Sequence, residues 1–360
     1  MVTSNLRPSL SALPLAQLSG DTRVILGDID EVVVFTLPMN IRFRGITKRE
    51  GILLRGPDGW GEFAPFWDYD ETESSRWLLS GITSATTPGP RALRSSIPVN
   101  VTIPACDVEE ALRRVEGQRG CATAKVKVAE RGQLVEEDIE RVQAVAEALF
   151  DNHGSAARLR IDANAGWSVH QAVEMLETLN SAAQMVGGLE YAEQPVGSTR
   201  ALADLRGQTR VPLAADESVR RSDHPLAVRD MAAAHIAVLK VAPLGGVTQA
   251  RKLGSQIGLP NVVSSALDSS IGIAAGVELA ASLENLPHAC GLNTATMFAC
   301  DVVGEPLVAE NGSICVEQAN LVRRAPLNPH ADKVEHSVKR LWHRRLERVA
   351  SALRERSDQR

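Results

Sequence analysis

Two lysines stand two residues apart in CATAKVKVAE, residues 121–130. In an extended strand Lys125 and Lys127 share one face, and Val126 and Val128 take the other. A third lysine, Lys240, interrupts the apolar run HIAVLKVAPLGG. Between them lie three carboxylates: Asp162 in RIDANAGW, Glu193 in EYAEQP and Asp216 in AADES, with Glu217 beside the last. Three hard oxygen ligands from separate segments, with no His or Cys placed among them, suit Mg²⁺, with Mn²⁺ as the alternative. A divalent ion beside a desolvated lysine suits removal of a proton α to a carboxylate, because the ion stabilises the enediolate as charge develops. A cationic neighbour lowers the pKa of a lysine, so Lys127, with Lys125 or the ion beside it, is the expected base.

These residues need a scaffold that brings them together. Short β-like runs begin at residues 97, 123, 158, 188, 212, 235, 261 and 288, with helix-like stretches between them. DVEEALRRVEGQ (107–118) and SVHQAVEMLETLNSA (168–182) are apolar at helical spacing and open on Asp107 and Ser168, both good N-caps. Alternation at this spacing means βα units and parallel strands, and eight of them suggest a closed barrel. Chemistry in such barrels sits at the C-terminal strand ends. The second strand brings Lys125 and Lys127 there, the third Asp162 and Asn164, the fourth Glu193, the fifth Asp216, the sixth Lys240 and the seventh Ser264 and Ser265.

Taken singly, an Asp at a strand end reads as a helix cap and a Lys in a strand as an edge-strand guard. A closed parallel barrel has no edge, and burying three lysines without partners costs several kcal/mol each. The lysines are therefore expected inside, paired with the carboxylates.

The 360 residues suffice for a barrel and an addition. Residues 1–22 read as a disordered leader broken by Pro8, Pro14 and Gly20. Residues 23–94 read as an α+β portion: antiparallel strands through RVILGDIDEVVVFTLPM and ITKREGILLRGPDGWGEFAPF, a turn at Gly56–Gly59, and a helix within 68–86. Residues 95–304 carry the barrel, and 305–325 hold a strand, SICVEQANLV, expected to return to the capping portion. The tail, 326–360, is basic and helical and reads as a solvated terminal helix, with a partner-binding helix as the alternative.

Net charge is −5, so no basic footprint for nucleic acid is present. The five cysteines show no ligand spacing and read as reduced thiols in a cytoplasmic protein. No apolar run reaches membrane-spanning length. The expected partner is a small-molecule carboxylate, and the expected assembly a monomer or small homo-oligomer.

The order KVK (125–127), DAN (162–164), EQP (193–195), DES (216–218) and LK (239–240) resembles the enolase superfamily, in its muconate-lactonizing subgroup. The resemblance spans about residues 23–325. It implies a modified (β/α)₇β TIM-like barrel with an α+β capping domain. It also implies Asp162, Glu193 and Asp216 as Mg²⁺ ligands, Lys127 and Lys240 as acid/base lysines on opposite faces of the substrate, and Lys125 as the supporting lysine. PMNIRFRGITKRE (38–50), GWGEFAPFWDYD (59–70), VVSSALDSSIGIAAG (262–276) and HACGLNTA (288–295) bring it nearest to members that dehydrate a cyclohexadiene carboxylate to an aromatic acid.

In that reaction Lys240 need only stabilise charge, and Ser264 and Ser265 either receive the second carboxylate or serve structure. Loops 40–47 and 63–71 are candidate lids. Arg44 either touches substrate or forms a surface ion pair, and Trp67 and Tyr69 either line the pocket or pack between domains. The competing chemistry is a 1,1-proton transfer by the same lysines, as in N-succinylamino acid racemases and dipeptide epimerases. The epimerase reading lacks its usual Asp-x-Asp, since the last strand reads HACGLNTA. A non-catalytic binding barrel is the other class, disfavoured because all six central residues are present.

Overall fold

Residues 6–358 are described in the computed structural model. The capping unit comprises β1 (Ser9–Ala12), α1 (Gly20–Leu26), β2 (Glu31–Phe43), β3 (Ile46–Gly56), β4 (Gly59–Phe63) and α2 (Glu71–Thr86). Its strands form one antiparallel sheet in the order β1-β2-β3-β4. Val33, Val34 and Phe35 are consecutive and all buried, so both faces of this sheet are covered. Asp70 caps α2 by accepting from the Glu73 amide, and the helix buries Trp77 and Leu78.

The leader expected over 1–22 is corrected for its described part. Ser9–Ala12 pair with Thr36–Val33, and Leu10, Leu13 and Leu18 are buried. Pro8 and Pro14 flank this edge strand, where their missing amides break no ladder bond. Residues 1–5 lie outside the described residues. Arg23–Leu26, expected as strand, are helical because Ser19 caps them, its Oγ accepting from the Thr22 amide.

After β5 (Ser96–Pro98) the barrel runs through β6 (Val101–Ile103), α3 (Val108–Gly117), β7 (Thr123–Lys127), α4 (Val135–His153), β8 (Arg158–Asp162), α5 (Val169–Ala182) and β9 (Leu189–Glu193). It continues with α6 (Thr199–Arg206), β10 (Leu213–Ala215), the short α7 (Glu217–Arg220) and α8 (Ala227–Asp230), and β11 (Ile236–Leu239). Then come α9 (Val241–Leu244), α10 (Val247–Ile257), β12 (Asn261–Val263) and α11 (Ser270–Ser282). Strands β6 to β12 form one parallel sheet in sequence order. The eighth position is held by two parallel bridges, Val99 with Cys290 and Ser264 with Gly291, which join the sheet's ends. The interior below the mouth holds Tyr191, Ala214, Ile236, Val238 and Val262 as a core of their own.

The chain ends with β13 (Ser313–Cys315), α12 (Val316–Val322) and α13 (His336–Asp358). The strand expected to return to the cap does otherwise: β13 pairs with β5, and VEQANLV is helical. The link to the cap comes from Arg323, which donates to Asp58 Oδ2 at 2.6 Å and to the Ser84 carbonyl at 2.7 Å. The solvated tail is also corrected. Helix α13 buries Trp342, Arg345, Leu346, Val349 and Ala350 and packs on α2 and α1. Glu347 Oε2 accepts from Ser19 Oγ at 2.5 Å, so the two ends of the chain meet. Residues 359–360 of the tail lie outside the described residues. No helix among the described residues is long and apolar enough to cross a membrane.

Candidate active site

Register alone brings three of the site residues side by side. In the parallel ladder Lys127 lies opposite Asp162, and Asp162 opposite Glu193. Asp216 follows β10, and Lys240 follows β11, so each stands where its strand ends. Lys125 is 5 %, Lys127 8 % and Lys240 7 % exposed, so all three face inward.

The lysines and carboxylates interleave. Lys125 Nζ lies 2.8 Å from Glu193 Oε2 and 3.6 Å from Asp162 Oδ2. Lys127 Nζ lies 2.5 Å from Asp162 Oδ2 and 2.6 Å from Asn164 Oδ1. Lys240 Nζ lies 2.7 Å from Asp216 Oδ2 and 4.0 Å from Glu193 Oε1. Asn164, at φ +43°, holds the turn after β8 and donates to Glu217 Oε1 at 3.3 Å. Asn and Asp tolerate this left-handed conformation better than most residues, which is a reason for DAN at this turn.

Burial sets the protonation balance. It pushes the Lys127 amine below its ordinary value, against the pull of Asp162 and with help from Lys125. For Lys125 burial acts in the same direction but loses to Glu193 and Asp162 together, so its pKa is raised. Asp162 is held below the usual carboxylate range: burial opposes this, and the Lys127 and Lys125 charges overcome it. Glu193 is raised by burial and by Asp162. The two members of the KxK pair thus differ: Lys125 stays charged and Lys127 is the one eased toward the neutral amine.

Two residues beside the site carboxylates escaped the sequence reading. Arg220 donates to Asp216 Oδ1 at 2.8 Å, to Glu217 Oε1 at 2.5 Å and to the Tyr69 hydroxyl. The spacing Asp216 to Arg220, i to i+4 at a helix start, was the available signal. Gln194 Oε1 accepts the amides of both Asp216 and Ser218 at 3.0 Å, tying the end of β9 to that of β10. Its positive φ, +38°, marks a turn residue, and nothing local in EQP reveals the partner.

Four groups receive definite places. Ser264 Oγ reaches the Gly291 carbonyl at 3.5 Å, where the barrel closes, and Ser265 Oγ lies 2.6 Å from Thr294 Oγ1. Both serines are buried at the end of β12. The Arg44 guanidinium lies over the Phe66 ring at 4.5 Å. Tyr69 packs between cap and barrel, meeting Arg220 and lying under Arg221 at 4.3 Å, while Trp67 packs at a tilt against Trp342 of α13. The 40–47 loop reaches the mouth through Phe43, whose ring centre is 5.4 Å from Lys127 Nζ.

Among the described residues no three His, Cys, Asp or Glu side chains stand in ready metal-binding geometry. The oxygens of Asp162, Glu193 and Asp216 turn to ammonium groups instead. The residues still fit an ion: all three donors are hard oxygens on neighbouring strands, and Glu193 Oε1 is buried without a hydrogen-bond partner. A groove of about 620 Å³ runs between α2, α10 and α13 and touches none of these groups.

Residues 107–320 match the family model described as enolase C-terminal domain-like, and residues 34–85 match enolase N-terminal domain-like. The chain belongs to the enolase superfamily. Its curated relatives include the o-succinylbenzoate synthase of Thermobifida fusca, 48 % identical over 80 % of this chain and 87 % of that protein. That of Mycolicibacterium smegmatis is 49 % identical over 81 % and 87 %. The muconate lactonizing enzyme from Pseudomonas fluorescens superposes with a TM-score of 0.67 at 19 % identity, over 86 % of this chain and 97 % of that one. The L-Ala-D/L-Glu epimerase from Bacillus subtilis does so at 0.65 and 22 %, over 83 % and 96 %. At these identities the structural likeness is one of fold.

Proposed function

We propose that the protein is an o-succinylbenzoate synthase, a hydro-lyase that dehydrates 2-succinyl-6-hydroxy-2,4-cyclohexadiene-1-carboxylate to o-succinylbenzoate, the step used in menaquinone biosynthesis. The observation that carries this is the close identity to synthases of that name, joined to an intact lysine–carboxylate constellation at the barrel mouth.

The neutral amine of Lys127 takes the proton from the ring carbon bearing the carboxylate. The resulting Lys127 ammonium then gives a proton to the departing hydroxyl, water leaves, and the ring becomes aromatic, which makes the second stage strongly downhill. Lys125 stays charged and stabilises the enediolate formed between the two stages. Lys240, held by Asp216, adds a second positive charge from the other side, and can lie over the ring as a cation–π partner. Asn164 orients the Lys127 amine.

Asp162, Glu193 and Asp216 hold the divalent ion that enzymes of this superfamily use, here Mg²⁺ with Mn²⁺ as the alternative. That ion supplies positive charge beside the substrate carboxylate. The charge balance supports this. With Lys127 still protonated, Lys125, Lys127, Lys240 and Arg220 face Asp162, Glu193, Asp216 and Glu217, four positive groups against four negative. That balance tips positive when a divalent ion enters, which eases the proton off Lys127 and leaves the neutral base. The reading places the protein in the cytoplasm as a monomer or small homo-oligomer acting on a small-molecule carboxylate.

Ultraviolet absorbance follows the loss of the cyclohexadiene as the ring aromatises. A parallel sample in D₂O reports α-proton exchange of N-succinyl amino acids by NMR. Dehydration supports the synthase. Exchange without dehydration would make the protein a racemase using both lysines, and would overturn the proposed substrate.

A further inference from the structure

The loop between β12 and α11, residues 264–269, is shaped from the capping sheet. Leu267 in this loop has φ +62°, a conformation that a branched residue rarely adopts and that its surroundings must hold. The Leu267 carbonyl accepts from Arg49 Nε at 2.9 Å, and the Ala266 carbonyl from Arg49 Nη2 at 3.5 Å. Arg49 belongs to β3 of the cap and is 2 % exposed. The same guanidinium donates to the Ala64 carbonyl just past β4 and lies 4.2 Å over the Phe66 ring. From β4, Glu62 Oε2 accepts from the Ser269 amide at 3.1 Å and from Ser269 Oγ at 2.5 Å. Within the loop, Ser265 Oγ accepts from the Leu267 amide at 3.3 Å, and Asp268 Oδ2 from the Ala266 amide at 2.9 Å.

Arg49 donates to backbone carbonyls, while the Glu62 and Asp268 carboxylates act on it as nearby charges. Its fork is spent on backbone carbonyls of two domains. A guanidinium matches that task because its donors are planar and fixed, whereas an ammonium is a point charge on a flexible stem. The strained loop it grips begins with Ser264 and Ser265, where the Ser264 amide donates to the carbonyl of Leu239, the residue before Lys240, and Asp268 of the same loop feels the Lys240 charge.

We infer that Arg49 is a positioning residue: by gripping the 266–267 carbonyls from the cap, it sets the loop of Ser264 and Ser265 to receive the terminal carboxylate of the substrate's succinyl arm. This rests on the proposed synthase reading. Arg49 itself moves no proton and touches no reacting atom. Its loss therefore weakens recognition of the arm and spares the chemistry at the ring.

The test compares binding of o-succinylbenzoate, which carries the arm, with binding of benzoate, which lacks it, to the full chain with Mg²⁺. Arg49→Lys and Arg49→Met are measured beside the unaltered protein, with thermal midpoints as a check on folding. The expected result is a loss of at least tenfold in o-succinylbenzoate affinity in both variants, benzoate affinity within twofold of the unaltered protein, and KM raised tenfold with kcat within threefold. A merely structural role would lower the thermal midpoint and weaken both ligands alike, and that result would overturn the inference. So would unchanged affinities. If the unaltered protein fails to bind o-succinylbenzoate, the synthase reading falls and this inference with it. Binding by the unaltered protein with an unchanged ratio in the variants sinks the inference alone.

Discussion

Arg220 Nε donates to Asp216 Oδ1 at 2.8 Å, while Lys240 Nζ takes Asp216 Oδ2 at 2.7 Å. The carboxylate is fully buried and has one cation on each oxygen. Removing Arg220 strands a buried charge. Arg220→Met is expected to cost about 3–5 kcal/mol in urea unfolding. Tyr69→Phe removes only one hydrogen bond to the same guanidinium and is expected to cost about 1 kcal/mol. Equal effects of the two variants would contradict this ranking.

Chelation of divalent ions should abolish turnover without unfolding the chain. Without an ion, the site carboxylates already have ammonium partners, so the barrel does not depend on metal for charge balance. Treatment with EDTA, followed by circular dichroism and then by added Mg²⁺, checks both halves. The expected outcome is an unchanged spectrum, lost activity and restored activity. Loss of the spectrum on chelation would show that the ion holds the fold.

Burial raises the Asp301 carboxyl from 3.8 to about 6, against hydrogen bonds from Ser270. Between these values the folded chain keeps a proton that the unfolded chain has released. Stability therefore falls as pH rises from about 4 to about 6, by roughly 3 kcal/mol for this group. Asp301→Asn removes this contribution while keeping an acceptor for Ser270. Urea midpoints of the two proteins at several pH values should converge or cross over that window. Parallel curves would refute the assignment.

Helix α2 and strand β4 touch through backbone at Gly61 and Gly81. A Cβ on Gly61 would lie 1.9 Å from the Gly81 carbonyl oxygen. Backbone cannot yield as a side chain can, so Gly61→Ala should destabilise by about 3 kcal/mol or more. Gly117→Ala, at the end of α3 with open space around its Cβ, should be neutral or stabilising by up to about 1 kcal/mol. Soluble yield and urea midpoints distinguish the pair.

The barrel and the lysine–carboxylate cluster at its mouth were legible because each strand carries its own signal. Lys125 and Lys127 stand out against Val126 and Val128, and a parallel barrel leaves no edge to explain them. The cap was read less well, for a physical reason. Ser9–Ala12 becomes a strand only because β2 offers an edge, and α13 is buried only because α1 and α2 lie against it. Neither partner is near in sequence. Gln194 and Arg49 escaped in the same way, since each binds backbone distant in the chain, whereas Arg220 pairs with the nearby Asp216 and Glu217 and only its Tyr69 partner is distant.

The measurement that bears most directly on the account is the turnover of Lys127→Ala beside the unaltered protein, followed by aromatisation absorbance with Mg²⁺ present. General-base catalysis by a positioned side chain contributes about 10²–10⁴-fold. The account predicts a loss of that size, with o-succinylbenzoate still bound. Turnover within a few-fold of the unaltered protein would contradict it, because the proton would then leave by way of a group other than Lys127.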